Sequence, residues 1–284
     1  MRRPRRPRPR LPVAAERAYV RLLRDALAQW QAHVLAAILR EHGQHPGRAH
    51  LRTEAAIDRA DEIASFVDVP IQHLDGVRGA RQDAMHFPGL HVDPHDLGAI
   101  GMRIAKQNAG QFQKLIGIPI ADLGLGAEID IFRERNVALI RSLGESQIDE
   151  ITDILEQATA EGWHVAALRE AIEERFGVGE SHADLIARDQ TLKMSGEITQ
   201  RRQTDAGVEA YTWRASGDER VRPAHADLDG TVQRWDDPPV TNDAGDTNAP
   251  GGDYQCRCTA DPLLAGIDYD EDSPPWAPAR AAEE

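Results

Sequence analysis

Between Tyr211 and Thr259 the chain reads YTWRASGDERVRPAHADLDGTVQRWDDPPVTNDAGDTNAPGGDYQCRCT. No other stretch limits the fold so tightly. Both cysteines of the chain, Cys256 and Cys258, lie here with His225, Trp213, Trp235 and a run of acids and arginines. Tyr211 to Arg214 is short, aromatic and β-prone, which suits a strand. Gly217 and Asp218 make a turn, and Asp229-Gly230 is a second turn ahead of the β-prone Thr231 and Val232. Asp236 to Gly252 is too rich in Asp, Pro, Gly and Asn for a helix and reads as a long loop. Tyr254 to Thr259 is strand-like again. The stretch therefore predicts a small antiparallel β unit, its loop tied down by Cys256-Arg257-Cys258.

In a strand, residues i and i+2 face one side, so both sulfurs of a Cys-x-Cys would point at one centre. A tetrahedral zinc site needs four ligands. His225 is the obvious third, and Asp218, Asp227 or Asp229 would supply the fourth. The bland alternative is a pair of small buried residues. A Cys256–Cys258 disulfide would be strained. His225 among Asp218, Arg220, Arg222, Asp227 and Asp229 would also suit a general base acting on a phosphodiester. The same residues equally make a hydrogen-bonded network that holds a loop with little core of its own, and that structural reading is the one favoured here. No phosphate-binding loop, nucleophile elbow or zinc-protease helix motif occurs in the chain.

The order of these elements resembles the head morphogenesis domain of the phage Mu F-like minor head proteins. The resemblance rests on Trp213, on Asp218-Glu219-Arg220-Val221-Arg222 followed by His225, on Asp229-Gly230, on Pro250-Gly251, and on Cys256-Arg257-Cys258. It includes the preceding helix with Ile186-Ala187-Arg188-Asp189, and spans about residues 136–262. The family often carries Ala-Arg-Thr-Glu where this chain has Ala187-Arg188-Asp189-Gln190, so Asp189 stands in for the acid at the next position. The resemblance implies a minor head protein of a tailed bacteriophage, not an enzyme. It would be made in the bacterial cytoplasm, act in procapsid assembly, and be associated with the portal inside the virion head. Implied partners are a portal protein, the major capsid protein or a scaffolding protein. The alternatives are a nuclease or transferase-like enzyme domain and a zinc-stabilised DNA-binding module.

The first ten residues oppose the rest of the chain in charge. Arg2, Arg3, Arg5, Arg6, Arg8 and Arg10 alternate with prolines, whereas the whole chain carries −14. Such an arm suits nonspecific phosphate contact or an acidic partner, while the acidic bulk argues against duplex binding by the whole surface. Two cysteines exclude a disulfide scaffold, and no apolar run approaches the length of a bilayer span.

The remainder predicts helices. Tyr19, Leu22, Leu23, Leu27, Trp30, Val34 and Ile38 form one stripe over residues 13–41. A second helix is expected over 51–67 and a third from Asp93-Pro94, with Asp as N-cap and Pro at the first helical position, to about Ile116. Gly144 is expected to separate helices over 129–143 and 145–160. Gly177 is expected to end a helix over 165–176 before another opens near Ser181 and runs to Asp205. The histidine trios His42/His45/His50 and His86/His91/His95 read as solvated loop residues. The expectation is an α+β chain with a basic arm (1–12), a helical docking region (13–128), a head morphogenesis domain (129–262) and an acidic, proline-rich tail (263–284).

Overall fold

The computed structural model describes residues 9–42, 89–116, 124–163, 165–270 and 273–276. The expected helix over 51–67 and the arginines at 2, 3, 5, 6 and 8 lie outside them. The fold is α+β: long helices followed by a small antiparallel sheet. The helices are α1 (Val13–His42), α2 (Pro94–Ile116), α3 (Gly126–Glu161), α4 (Val165–Asp205) and the short α5 (Pro223–Asp227). The strands are β1 (Ala210–Arg214), β2 (Val232–Arg234) and β3 (Thr259–Leu263), in spatial order β2-β1-β3.

The chain forms two compact units that interleave in sequence. One holds Met1–Val20, Asp93–Asn136 and Leu185–Glu284; the other holds Arg21–Val92 and Val137–Asp184. In the second unit the α1 stripe is buried as its spacing predicts: Leu23, Leu27, Trp30, Val34 and Ile38 are all inside. Ile140, Leu143, Ile151 and Leu155 of α3 and Leu168, Ile172 and Phe176 of α4 are buried there too.

Two expected helix breaks are absent: Gly144 sits in a close packing contact, whereas at Gly177 the helix continues with nothing within 4 Å of a new Cβ. Helix α3 runs straight through Gly144 and α4 through Gly177. A Cβ on Gly144 would lie 2.7 Å from Cβ of Leu90. A Cβ on Gly179 would overlap the side chain of Gln147. These two glycines allow close approach between neighbouring segments, and the helix accepts their poor propensity in return.

In the first unit α2 starts as predicted. The Asp93 carboxylate accepts the His95 N–H at 2.8 Å, and Leu97, Ile100, Ile104 and Phe112 are buried. Tyr19 is fully buried and donates to Asn136 Oδ1 at 2.5 Å, while Asn136 Nδ2 donates to the Phe132 carbonyl. The end of the basic arm is anchored on α2. The Arg10 N–H donates to Gln111 Oε1 at 2.6 Å, and Gln111 Nε2 donates back to the Arg10 carbonyl at 2.8 Å.

Strand β1 is the centre of the sheet, pairing with β2 through Ala210–Thr212 and with β3 along its whole length. Pro262, which has no N–H, sits in β3, an outer strand. The sheet core is small: Tyr211, Trp213, Trp235, Cys256, Cys258 and Ala260. Gln203, buried in α4, ties the sheet to the helix. It accepts the Trp235 indole N–H at 3.2 Å and donates to the Ala260 carbonyl at 3.1 Å.

The third strand begins later than the sequence suggests. Residues 254–255 form a turn and 256–258 have no regular structure, so Cys256-Arg257-Cys258 precedes β3. The cause is Gln255, whose φ of 53° breaks the extended run. The loop over 236–252 is folded on itself: Asn242 Oδ1 accepts the N–H groups of Ala244 and Asp246, and Val240 bridges Thr247. The expected tail begins inside β3, and beyond it Tyr269 packs edge-on against Trp276 at 4.8 Å.

Candidate metal centre

His225 is placed by α5, five residues long with Pro223 at its first turn. The Pro223 ring fixes φ, so a helix too short to persist alone is started by local geometry. The turn after it is closed by Asp229-Gly230. The Asp229 carboxylate accepts the Ala215 N–H at 2.9 Å, and the Gly230 N–H donates to the Trp213 carbonyl at 2.9 Å. Gly230 takes a φ of 81°, which a side chain would oppose.

The two cysteines arrive from the other side. Their loop is held by α4. Asp189, 5% exposed, accepts the Gln255 N–H at 2.7 Å, and Gln255 Nε2 donates to the Leu185 carbonyl. Lys193 pairs with Asp189 at 2.8 Å. Asp189 thus supplies an acid that fixes the loop, and the neighbouring Gln190 donates to it at 3.1 Å. One turn further on, helix and loop meet backbone to backbone. A Cβ on Gly196 would be 2.6 Å from the Pro250 carbonyl oxygen, and Gly251 itself has a φ of 90°.

The result is a cluster of three buried side chains. His225 Nδ1 lies 3.5 Å from Cys256 Sγ and 3.4 Å from Cys258 Sγ, and the three residues are 2%, 3% and 5% exposed. Their ligand atoms all lie within 4.8 Å of one another. No other group of three His, Cys, Asp or Glu residues meets this condition among the described residues. On the far side of the ring, Nε2 lies 3.2 Å from Asp253 Oδ2. The carboxylate accepts there, so the ring proton sits on Nε2 and the Nδ1 lone pair faces the sulfurs. Trp213 packs edge-on against the ring at 5.5 Å.

The charges follow from this geometry. Hydrogen bonding to Cys258 and to His225 pulls the Cys256 thiol below its ordinary range, against the opposing effect of burial. Cys258 is pushed up, because its neighbour takes the negative charge first and because it is buried. His225 is raised by the hydrogen bond from Cys256, with Asp253 adding to it and burial working against it. N–H groups converge on the sulfurs. The Gly251 N–H is 3.4 Å from Cys256 Sγ. The buried Trp213 indole N–H makes no hydrogen bond, and its nearness to Cys258 favours the thiolate there.

Asp218 does not join the cluster. Its carboxylate forms an ion pair with Arg257 and accepts the Arg220 N–H at 3.1 Å. Asp227 and Asp229 are exposed and stand apart from it as well. The expected network of Asp218, Arg220 and Arg222 is in fact two separate devices. Arg222 donates to the Tyr254 carbonyl at 2.8 Å and faces Asp253 at 3.7 Å, while Arg257 is the partner of Asp218. The sequence reading passed over Asp253, Gln255 and Arg257. His91 and His95 are exposed.

The order Asp253–His225–Cys256 is also that of a thiol nucleophile, its base and an orienting acid. Here both sulfurs share one ring nitrogen, and both are buried.

Residues 149–261 match the family described as "Phage Mu protein F like protein". This segment is a phage Mu F-like domain. It takes in the end of α3, all of α4, β1, α5, β2 and the start of β3, and with them His225, Cys256 and Cys258. Over 129 residues the chain is 36% identical to an uncharacterized protein of Haemophilus influenzae. That match covers 45% of this chain and 28% of the relative, so the chain spans little more than a quarter of the relative's length. No solved structure matches the chain. No helix among the described residues is long and apolar enough to cross a membrane.

Proposed function

We propose that this chain is a minor head protein of a tailed bacteriophage or prophage, acting in head morphogenesis. The observation that carries the reading is the phage Mu F-like domain over 149–261. The protein works in procapsid assembly beside the portal, on the inner side of the head. The helices outside the domain dock on the portal or on the capsid or scaffolding protein. The basic arm, Arg2 to Arg10, meets packaged DNA or an acidic partner surface through salt-dependent contacts without sequence preference. The His225–Cys256–Cys258 cluster serves this role as a staple for Zn²⁺ and not as a catalytic centre. Its support is the burial of both thiols.

The test is to purify procapsids and filled heads from a lysate of the phage or prophage that encodes the chain, and to quantify the chain by mass spectrometry. The expected result is enrichment in both at low copy relative to the major capsid protein. Loss of normal heads on deletion, restored by the intact chain, is also expected. Absence from both particles would overturn the reading.

A further inference from the structure

The cluster deepens the staple reading in one respect that no family resemblance supplies, namely its coordination set. We propose that His225 Nδ1, Cys256 Sγ and Cys258 Sγ are three protein ligands of a single tetrahedral Zn²⁺, that a water takes the fourth position, and that Asp253 is a positioning residue behind His225. The inference rests on the staple reading of the cluster and not on the placement of the chain in a phage head.

The distances carry the first part. A tetrahedral centre with Zn–N of about 2.05 Å and Zn–S of about 2.3 Å separates nitrogen from sulfur by about 3.6 Å. The two separations in the molecule are 3.4 and 3.5 Å. Hydrogen bonding alone accounts for only one of them. A neutral imidazole whose Nε2 carries the proton has a single lone pair, on Nδ1, and one S–H saturates it. The second sulfur at the same distance then has only the first sulfur left to bond, whereas a common cation accounts for both separations at once.

The surroundings suit thiolates. The Gly251 N–H points at Cys256, and the otherwise unpartnered Trp213 indole N–H lies by Cys258. Two buried thiolates would carry two negative charges in an apolar pocket, and a divalent cation cancels them. Two sulfurs with one imidazole select a borderline-soft metal and disfavour Mg²⁺ or Ca²⁺. Asp253 completes the arrangement. A carboxylate on the distal nitrogen fixes the tautomer and ring orientation of a metal-bound histidine, and here it is itself held by the Tyr254 N–H at 2.8 Å and faced by Arg222.

The fourth position falls to water because no fourth His, Cys, Asp or Glu ligand atom joins the group among the described residues. Both cysteines also line a cavity of about 40 Å³, shared with Gly196, Gly251 and Arg10. That is room for at least one water.

The test uses the full chain, purified without chelator or metal affinity resin, and reads zinc by elemental analysis and by X-ray absorption at the zinc edge. The expected result is one zinc per chain, with two sulfurs at about 2.3 Å and two lighter ligands at about 2.0–2.1 Å. Cys256→Ser and Cys258→Ser each lose the zinc. Asp253→Asn keeps it but binds about 10–100-fold more weakly in competition with a chelator, with unchanged helical circular dichroism, and Asp253→Glu restores part of the loss. A folded protein that neither contains zinc nor takes it up overturns the staple reading and the inference together. Bound zinc with no sulfur shell, or with three or more sulfurs, overturns the coordination set. Unaltered affinity in Asp253→Asn overturns the role of Asp253. In every case the location of the chain in phage heads is read independently, so failure of one reading is not mistaken for failure of the other.

Discussion

The helical part and the β unit are held together by different means. Along residues 21–38 and 137–184 burial follows a stripe: Leu23, Leu27, Trp30 and Val34 recur at helical spacing and Ile140, Ile151 and Leu155 do likewise. Each loses its water-exposed surface by the same repeat, and many such residues share the stabilisation. From 210 to 263 the apolar residues that pack together as one cluster are six, with Ala210 buried beside them. The rest of the unit is fixed by individual polar contacts: Gln203 to Trp235, Asp229 to Ala215, Asp189 to Gln255, Arg222 to Tyr254. The helical part spreads its stability over redundant contacts, whereas the β unit concentrates it in a few. One substitution should therefore matter more in the second than in the first.

Trp213→Ala puts that contrast to the hardest use. Trp213 is fully buried in β1, packs on the His225 ring, and offers its N–H beside Cys258. Large-to-small replacement of a buried tryptophan costs about 3–5 kcal/mol. In a six-residue core there is little to collapse into the space. Hydrogen exchange should show loss of protection across 210–263 while the amides of α1 and of α3 after Asn136 keep theirs. If protection falls equally in both places, the two regions unfold as one and the contrast is wrong.

Three glycines of α4 sharpen the comparison, because one substitution meets three surroundings. At Gly177 nothing lies within 4 Å of a new Cβ, so Gly177→Ala should stabilise by about 0.5–1 kcal/mol through helix propensity alone. At Gly179 the obstacle is the end of the Gln147 side chain, buried and accepting a hydrogen bond from Gln31, which must give way. The propensity gain should be offset and the net change small. At Gly196 the obstacle is main chain, the Pro250 carbonyl at 2.6 Å. The helix and the cysteine loop must separate, and the loss should be about 1–3 kcal/mol. Thermal melts of the three variants rank them, and a Gly196→Ala as stable as Gly177→Ala would show that the loop yields easily.

The same glycines show where sequence reading stopped. Helix existence, the α1 stripe and the Asp93-Pro94 start were legible because periodicity and capping act within a few residues. Gly144 and Gly177 looked like stops because a glycine in isolation favours coil; at Gly144 the decisive neighbour, Leu90, is more than fifty residues away in sequence. Strand β1 was legible from its aromatic composition. The onset of β3 was not, since the left-handed Gln255 depends on a hydrogen bond to Asp189. His225, Cys256 and Cys258 were found as a set by residue type, the one signal that survives long separation. Asp253 was missed beside the motif it serves, since its role lies in facing His225 across a turn. Its position three residues before Cys256 was the available clue. Asp218 drew attention by its place in the acid-arginine run, yet its partner is Arg257, between the two cysteines.

Asp218 supplies the smallest expected effect and the most discriminating one. Its carboxylate is held below the ordinary range chiefly by hydrogen bonding to Arg257, with the Arg220 N–H adding to it. A group whose folded value is depressed stabilises the fold above its unfolded pKa of about 3.9, and that contribution disappears as pH falls through the lower folded value. The pair is exposed, so salt screens it. Asp218→Asn removes the charge but keeps an oxygen for the Arg220 N–H at 3.1 Å. Denaturation midpoints of variant and parent should differ only slightly at neutral pH and low salt, and should converge both in high salt and on acidification below the folded value. A difference that persists in high salt would mean that Asp218 acts through shape, as the oxygen that closes the 218–221 turn, and the β unit would then depend on its turns as much as on its ion pairs.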